Sequence, residues 1–247
     1  MLSLKPKLWE IPDIPQVVKQ NLDAKIIQLK ERLQQVAKAH RSARLASSLA
    51  VEDMLITDVI AKNNIGIEVF TLDTLLLNKE TLALIEQVKI QYPTLAFRVY
   101  QPKADDVQDY ESTHGKLAFY KSTELRHACC GIRKVVPLNR ALQGADAWLT
   151  GQRQAQSVTR VHLPFSEQDQ QRGIAKYNPI FDWSEVEVWA YILRFHIPYN
   201  LLYLKGYPSI GCEPCTRPVK CGEAIRAGRW WWESQDSKEC GLHTHES

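Results

Sequence analysis

Short apolar runs alternate with helix-like stretches through much of this chain, and that alternation limits its fold more than any other feature. Leu45–Val51, Gly66–Leu72, Leu95–Tyr100 and Ala145–Thr150 read as strands. Helical patterns stand at Glu52–Asn63, at Thr74–Tyr92 with Pro93 closing it, and at Ser184–His196 with Ser184 as N-cap. An amphipathic helix precedes them over residues 17–40, where Val18, Leu22, Ile26, Leu29, Leu33 and Val36 recur at spacings of three and four. Strand and helix in strict alternation imply right-handed crossovers and a parallel sheet covered on both faces. The expected fold class is therefore α/β, a doubly wound, mostly parallel sheet.

Composition narrows the setting. A chain of 247 residues, 45% hydrophobic and 24% charged, can bury the core of one globular domain with appendages. A formal net charge of +3 is too small to argue for nucleic acid, so any anion site must come from local clustering. Residues 1–10 lack a basic segment followed by an apolar one, and no run reaches the 18 or so apolar residues of a membrane span. A cytoplasmic protein without a membrane partner is expected.

In doubly wound sheets, ligands bind beyond the carboxyl ends of the strands. The first predicted strand runs through Ser47 and Ser48 towards Glu52-Asp53 at the start of a helix, where hydroxyls and free amides favour a phosphate. The glycines and Lys-Ser/Thr of a Walker A loop are absent. The second strand leads into Leu72-Asp73-Thr74, and a later one into Thr150-Gly151-Gln152-Arg153, with Ser157 and Arg160 beyond. Taken singly, such serines are ordinary helix caps and such arginines ordinary solvated charges. Gathered at one end of one sheet, they would form a polar, cationic crevice suited to a nucleotide anion.

The six cysteines add a second constraint. Cys129 and Cys130 are adjacent, Cys212 and Cys215 form a C-x-x-C, Cys221 is left over, and Cys240 stands on a polar tail with no second cysteine beside it. Two close pairs can supply four soft thiolates to one metal centre. A structural zinc remains an alternative, yet zinc sites prefer two knuckles with residues between the ligands. Adjacent cysteines reach neighbouring iron atoms of a cuboidal cluster more easily. A static disulfide framework does not suit a cytosolic chain.

The chain resembles the assimilatory adenylyl-sulfate reductases, the cluster-containing branch of the APS/PAPS reductase family. The resemblance spans roughly residues 45 to 243. It is carried by Cys129-Cys130-Gly131-Ile132-Arg133-Lys134, Thr150-Gly151-Gln152-Arg153, residues 178–183 (Asn-Pro-Ile-Phe-Asp-Trp), residues 206–216 around Cys212 and Cys215, residues 228–233 (Gly-Arg-Trp-Trp-Trp-Glu) and Glu239-Cys240-Gly241-Leu242-His243. It implies an adenine nucleotide α-hydrolase-like fold, a 4Fe–4S cluster held by Cys129, Cys130, Cys212 and Cys215, and thioredoxin or a glutaredoxin-like dithiol as electron donor. Two positions depart from the family pattern. Ala50-Val51 stands where a Gly-Ala is usual, and Arg153-Gln154 stands where two arginines are usual.

The implied substrate is adenosine 5'-phosphosulfate, whose sulfur must be attacked while AMP leaves. Cys240 is the expected nucleophile, as a soft and ionisable group. Lys134, Arg226 and Arg229 are expected to hold the phosphosulfate, Arg226 and Arg229 projecting three apart from one helical face. Arg153 and Arg160 are further cations, and Ser48, Asp53, Leu72 and Thr74 surround the nucleoside. Trp230-Trp231-Trp232 reads as packing that anchors the tail. Residues 1–44 read as a helical extension, 45–232 as the nucleotide- and cluster-binding domain, and 233–247 as a mobile tail carrying the nucleophile. Homo-oligomerisation is compatible with this reading. The alternatives are the 3'-phosphorylated nucleotide as substrate, or a non-enzymatic zinc-binding or redox-sensing module. A PP-loop pyrophosphatase would share the fold, but its Ser-Gly-Gly-x-Asp-Ser signature is missing from residues 47–53.

Overall fold

The computed structural model describes residues 6–156 and 160–233. Among them, β1 (Ala43–Ser47), β2 (Glu68–Leu72), β3 (Phe97–Tyr100), β4 (Ala147–Leu149), β5 (Ser166–Asp169) and β6 (Ile174–Tyr177) form one sheet in the order β3-β2-β1-β4-β6-β5. Every neighbouring pair is parallel except β5 with β6, which is antiparallel at the edge. Leu45 sits opposite both Val69 and Leu149. The central rungs are thus apolar, as a sheet covered on both faces requires.

One face carries α1 (Gln16–Ala39), α2 (Val51–Lys62) and α7 (Glu185–Arg194). The stripe on α1 is a true packing face, since Leu22, Leu29, Leu33 and Val36 are buried in the same core as Leu45 and Trp189. Helix α2 is the innermost element: every residue from Val51 to Ile60 is buried, which an ordinary amphipathic surface helix would not be. On the other face, Leu138 and Ala141 of α6 (Val136–Ala141) pack on Phe70 and Trp148. Helix α7 opens with the anticipated Ser184 cap as a full capping box, Glu187 N donating to Ser184 Oγ at 3.2 Å and Ser184 N donating to Glu187 Oε2 at 2.7 Å.

Several boundaries move from their sequence expectation, each for a local reason. The helix read from Thr74 begins only at α3 (Lys79–Gln91). Asp73 Oδ1 accepts from Leu75 N at 2.9 Å and Thr74 Oγ1 from Leu76 N at 3.3 Å, so side chains take amides that a helix would use. Strand β1 stops at Ser47, whose Oγ accepts from Leu49 N at 3.2 Å, while Leu49 turns the chain with φ +62°. The strict alternation also fails once. Strands β5 and β6 form a hairpin with no helix between them, and β5 (Ser-Glu-Gln-Asp) has no apolar side chain to reveal it. Helices α4 (Ala104–His114) and α5 (Thr123–Cys130) were likewise not apparent from apolar periodicity.

A buried carboxylate ties three of these helical segments. Asp58 of α2, fully inaccessible, accepts from Tyr92 Oη at 2.9 Å, just past α3, and from Tyr191 Oη of α7 at 2.6 Å, with Lys62 Nζ at 2.9 Å. Burial first, and the neighbouring Asp58 second, push both phenols above their ordinary range, so they act as donors throughout the working pH range. Tyr191→Phe should cost about 1–3 kcal/mol by stripping one donor from a buried carboxylate. Chemical denaturation of the variant against the parent reads this directly; equal midpoints would mean that water replaces the lost donor.

Candidate functional site

The sheet reverses its winding between β1 and β4, and the loops leaving their carboxyl ends diverge to open a crevice of about 270 Å³. This is the topological switch point at which doubly wound sheets receive ligands. Ser48, Asp53, Leu72, Thr74, Lys134, Arg153, Arg160, Arg226 and Arg229 all line it, although they come from regions far apart in sequence. Trp230 and Cys212 complete one wall.

The floor is organised by Asp53, 5% exposed at the start of α2. Its Oδ2 accepts from Ser48 N at 2.7 Å and from Ser48 Oγ at 2.6 Å. The amide of Gly151 also points at this carboxylate, and a Cβ at Gly151 would stand only 2.3 Å from Asp53 Oδ1. Only glycine lets the loop after β4 approach the helix that follows β1 so closely. Burial pushes the Asp53 carboxyl up to about 6, against the opposing pull of the Ser48 hydrogen bonds. The departure at Ala50-Val51 is accommodated without strain: Ala50 has φ −66°, and Val51 N donates to Tyr203 Oη at 3.2 Å.

Arg153 lines the crevice, but its charge is already engaged. Its Nε and Nη2 donate to Glu52 Oε1 at 3.0 and 2.7 Å, and its Nη1 to Trp183 O at 3.2 Å. Gln156 Nε2 donates to the same Glu52 oxygen at 3.0 Å, and Gln156 Oε1 accepts from Arg160 Nη1 at 2.7 Å. The Glu52–Gln156 support was missed from sequence, because Glu52 looked like one more acidic residue in a first helical turn. Gln154, at the position of the family's second arginine, turns away to donate to Leu163 O at 2.9 Å.

Behind the Trp230 wall the four paired cysteines gather. Cys129, Cys130, Cys212 and Cys215 share one buried cluster with Tyr110, Phe119 and Trp230, each cysteine 7–8% exposed. Cys129 and Cys130 end α5, and the chain continues through a π-helical turn, Gly131–Val135, of the kind frequent at functional sites. Helical spacing places Arg133 near the side of Cys129 and Lys134 near that of Cys130. Arg133 donates to Thr74 O at 2.9 Å and to Glu111 Oε1 at 2.7 Å, so it braces the loop from which Thr74 Oγ1 meets Cys212 Sγ at 3.2 Å. Burial raises the Cys129 thiol, and burial with the neighbouring Cys212 pushes Cys215 up to about 12. Among the described residues no three His, Cys, Asp or Glu side chains close around a single ion.

Arg226 and Arg229 do not project from a helix. Residues 221–233 are a series of turns, with Ala227 N donating to Ala224 O at 2.8 Å and Arg229 N to Arg226 O at 2.9 Å. The expected helix fails because Gly222 and Gly228 interrupt the segment and Arg229 bridges to Thr216. Both arginines nevertheless reach the crevice. The Arg229 guanidinium lies against Gly211, where a Cβ would meet its Nη2 at 2.4 Å, and its buried Nε has no hydrogen-bond partner among the described residues. Trp230 is packing, as expected, but of a particular kind: its ring is contacted by Arg229 and by Arg126, each guanidinium carbon 4.7 Å from the ring centroid. Cys240, Ser157 and the tail from residue 234 onward lie outside the described residues.

Residues 42–218 match the phosphoadenosine phosphosulfate reductase domain. A Neisseria meningitidis protein named adenosine 5'-phosphosulfate reductase is 58% identical over 98% of this chain and 100% of its own length. A Burkholderia cepacia protein of the same name is 53% identical over 90% of this chain and 88% of its own. The crystal structure of a Candida auris phosphoadenylyl-sulfate reductase in a phosphate complex superposes with a TM-score of 0.66 at 27% identity, covering 83% of this chain and 99% of that one.

The raised Asp53 carboxyl has a measurable consequence. Its folded pKa of about 6 lies above its ordinary 3.8, so between those values the folded protein holds a proton that the unfolded chain has released. The associated stability is fully present below the lower value and is lost as pH rises through the upper one. Asp53→Asn should abolish this dependence. The stability of the variant relative to the parent should climb by on the order of 3 kcal/mol between pH 4 and pH 7. Parallel pH profiles in denaturation would contradict the assignment.

Proposed function

This chain belongs to the phosphoadenosine phosphosulfate reductase family, and we propose that it reduces adenosine 5'-phosphosulfate to sulfite and AMP in sulfate assimilation, through a thiosulfonate on Cys240. The relatives that carry this activity in their names match nearly its whole length. The observation that carries the mechanistic reading is Lys134: it lines the nucleotide crevice four positions after Cys130 of the thiol cluster, so the two sites share a wall.

The nucleoside lies at the carboxyl ends of the strands, near Ser48, Leu72 and Thr74, with Asp53 holding the loop amides in place. The phosphosulfate lies towards Lys134, Arg226 and Arg229. The buried Arg229 Nε–H, without a partner among the described residues, suits an anion oxygen. Arg153 is a wall-former whose charge Glu52 balances, and Arg160 acts from the rim. The Cys240 thiolate attacks the sulfate sulfur, the S–O bond to the phosphate breaks, and AMP departs with the electron pair. The three cations stabilise the charge that grows on the leaving phosphate. A thiolate of a thioredoxin-type dithiol then attacks Cys240 Sγ, expelling sulfite and leaving a mixed disulfide that its second thiol resolves. Two electrons pass from dithiol to sulfur, and the ledger balances without a further reductant.

The four buried cysteines fit a 4Fe–4S cluster. Four soft donors share one apolar pocket in which burial raises the Cys129 and Cys215 thiols, so a cationic centre there would favour the thiolate form that a cluster needs. When bound, such a cluster supplies a fixed charge beside the crevice and orders its wall. Lys134, on the same helical stretch, is the residue through which that charge bears on the substrate. Free thiols at these four positions and at Cys221 suit a reducing, cytoplasmic compartment. Within this reading residues 1–44 are an extension that packs on the core, and 233–247 deliver the nucleophile.

Mixing the enzyme with adenosine 5'-phosphosulfate and no reductant should add one SO3 group to the peptide carrying Cys240. Cys240→Ser should keep the visible absorbance near 400 nm and bind nucleotide, yet release no sulfite. An adduct on Cys221, or turnover by the serine variant, would overturn the mechanism. The 3'-phosphorylated nucleotide, run in parallel, should be the poorer substrate.

Lys134→Ala should lower kcat by more than two decades with folding intact, the loss expected when about 2.7–4 kcal/mol of transition-state charge stabilisation disappears. Turnover near the parent value would remove Lys134 from the site.

A further inference from the structure

Arg126 is a fully buried arginine, three residues ahead of the first paired cysteine, and the mechanism above gives it no task. Its Nε donates to Glu233 Oε1 at 2.6 Å and its Nη2 to Glu233 Oε2 at 3.0 Å, a two-pronged pair in which the side chains are 0% and 6% exposed. Burying such a pair is a poor way to gain stability, because the desolvation of both charges roughly cancels their attraction. What the pair does supply is geometry: a planar fork holds a carboxylate in one place and one orientation. The same Nη2 lies 3.0 Å from His127 Nε2, which restrains the guanidinium further.

The location of the pair gives that geometry a use. Arg126 and Arg229 both lie over the Trp230 ring, each guanidinium carbon 4.7 Å from its centroid, and Arg229 lines the crevice. Glu233, Arg126, Trp230 and Arg229 therefore form a continuous column from the last described residue to the anion-binding wall. Trp230 O also accepts from Glu233 N at 2.9 Å, so backbone and side chain are held together. Cys240 follows Glu233 by seven positions. Seven residues reach at most about 25 Å, so the point of attachment fixes the volume the thiol can search.

We propose that Arg126 and Glu233 are positioning residues: their buried pair anchors the origin of the C-terminal segment beside the crevice and thereby sets the effective concentration of the Cys240 thiol at the substrate sulfur. The inference rests on the reading that Cys240 is the nucleophile. A tether of this kind turns the encounter of thiol and substrate into an intramolecular event, and its strength depends on where the tether begins. The discharge of the sulfonate by an external dithiol has no such requirement. The two half-reactions should therefore respond differently when the anchor is loosened.

The test uses the cluster-loaded, full-length enzyme and Glu233→Gln, which keeps the shape of the side chain and removes its charge. Single-turnover mass spectrometry without reductant gives the rate of S-sulfonation on the Cys240 peptide. Adding reduced thioredoxin to the preformed adduct gives the rate of discharge, and AMP titration gives the nucleotide affinity. S-sulfonation should slow at least tenfold, while AMP affinity, visible absorbance and discharge stay within about twofold of the parent; Glu233→Asp, which keeps the charge on a shorter arm, should recover part of the rate. Parent-like S-sulfonation in Glu233→Gln overturns the proposal, and so does a parallel loss of AMP affinity, which would make the pair a support of the crevice itself. If Glu233→Gln loses its colour, Glu233→Asp replaces it: S-sulfonation slower than the parent's with AMP affinity unchanged supports the proposal, and parent-like S-sulfonation overturns it. Failure of the parent itself to form the Cys240 adduct would instead sink the underlying mechanism, so the two failures are told apart.

Discussion

One buried carboxylate holds the two central loops of this protein together. Asp53 caps the turn after β1 through Ser48 and meets the Gly151 amide of the loop after β4, across the point where the sheet changes direction. A doubly wound sheet makes these two loops diverge, which opens a crevice but leaves its floor as two separate strips of backbone. A short acidic side chain at the start of α2 joins them, and its burial is offset by donors from Ser48 and the Gly151 amide. The crevice owes its shape to this contact. The cations that line it are arranged around this bonded floor.

Charge is sorted within that crevice by pairing. Arg153 is buried against Glu52 and so contributes shape more than field. Arg229 is also buried, but its contacts to Ser209 Oγ and Ile210 O are long, at 3.4 and 3.3 Å, and its Nε has no partner among the described residues. Of these two arginines only Arg229 keeps a buried guanidinium N–H without a partner among the described residues, the group the proposed function assigns to an anion. Because Gly211 gives way to its guanidinium, the C-x-x-C segment and the anion wall are packed as one unit.

Much of this was legible in the sequence, and the pattern of what was not is physical. The strand–helix alternation identified the sheet, and the rule that ligands lie at strand ends picked Ser48, Asp53, Thr74 and Arg153 as residues that would meet. Hydrophobic period failed where side chains competed with the backbone: Asp73 and Thr74 unwind the first turn expected of α3. It also failed for the polar edge strand β5, which has no buried face to encode. The arginine spacing at 226 and 229 suggested a helix and produced a pair of turns, yet the two side chains still share the crevice. The long-range partners were invisible. Nothing local in Arg126 announces Glu233, 107 positions away, because a salt bridge between distant elements leaves no periodic trace.

In the proposed mechanism, a nucleophile carried outside the crevice follows from the chemistry rather than from the fold. The same sulfur must meet a small anion inside a cationic pocket and then a protein-sized dithiol outside it, and a pocket closed enough to strip water from the first excludes the second. A nucleophile built into β1 or α2 would satisfy the first requirement and fail the second. A thiol on a segment that begins beside the crevice satisfies both, provided the segment is anchored at its base and unconstrained by the pocket at its end. The chain after Trp232 has that composition, a run of polar residues from Glu233 to Glu239 without an apolar anchor. Its base is the most tightly bonded carboxylate in this part of the structure. In that reading anchoring and reach fall to consecutive residues, the rigid elements serving the anion and the chain that follows them carrying the sulfur.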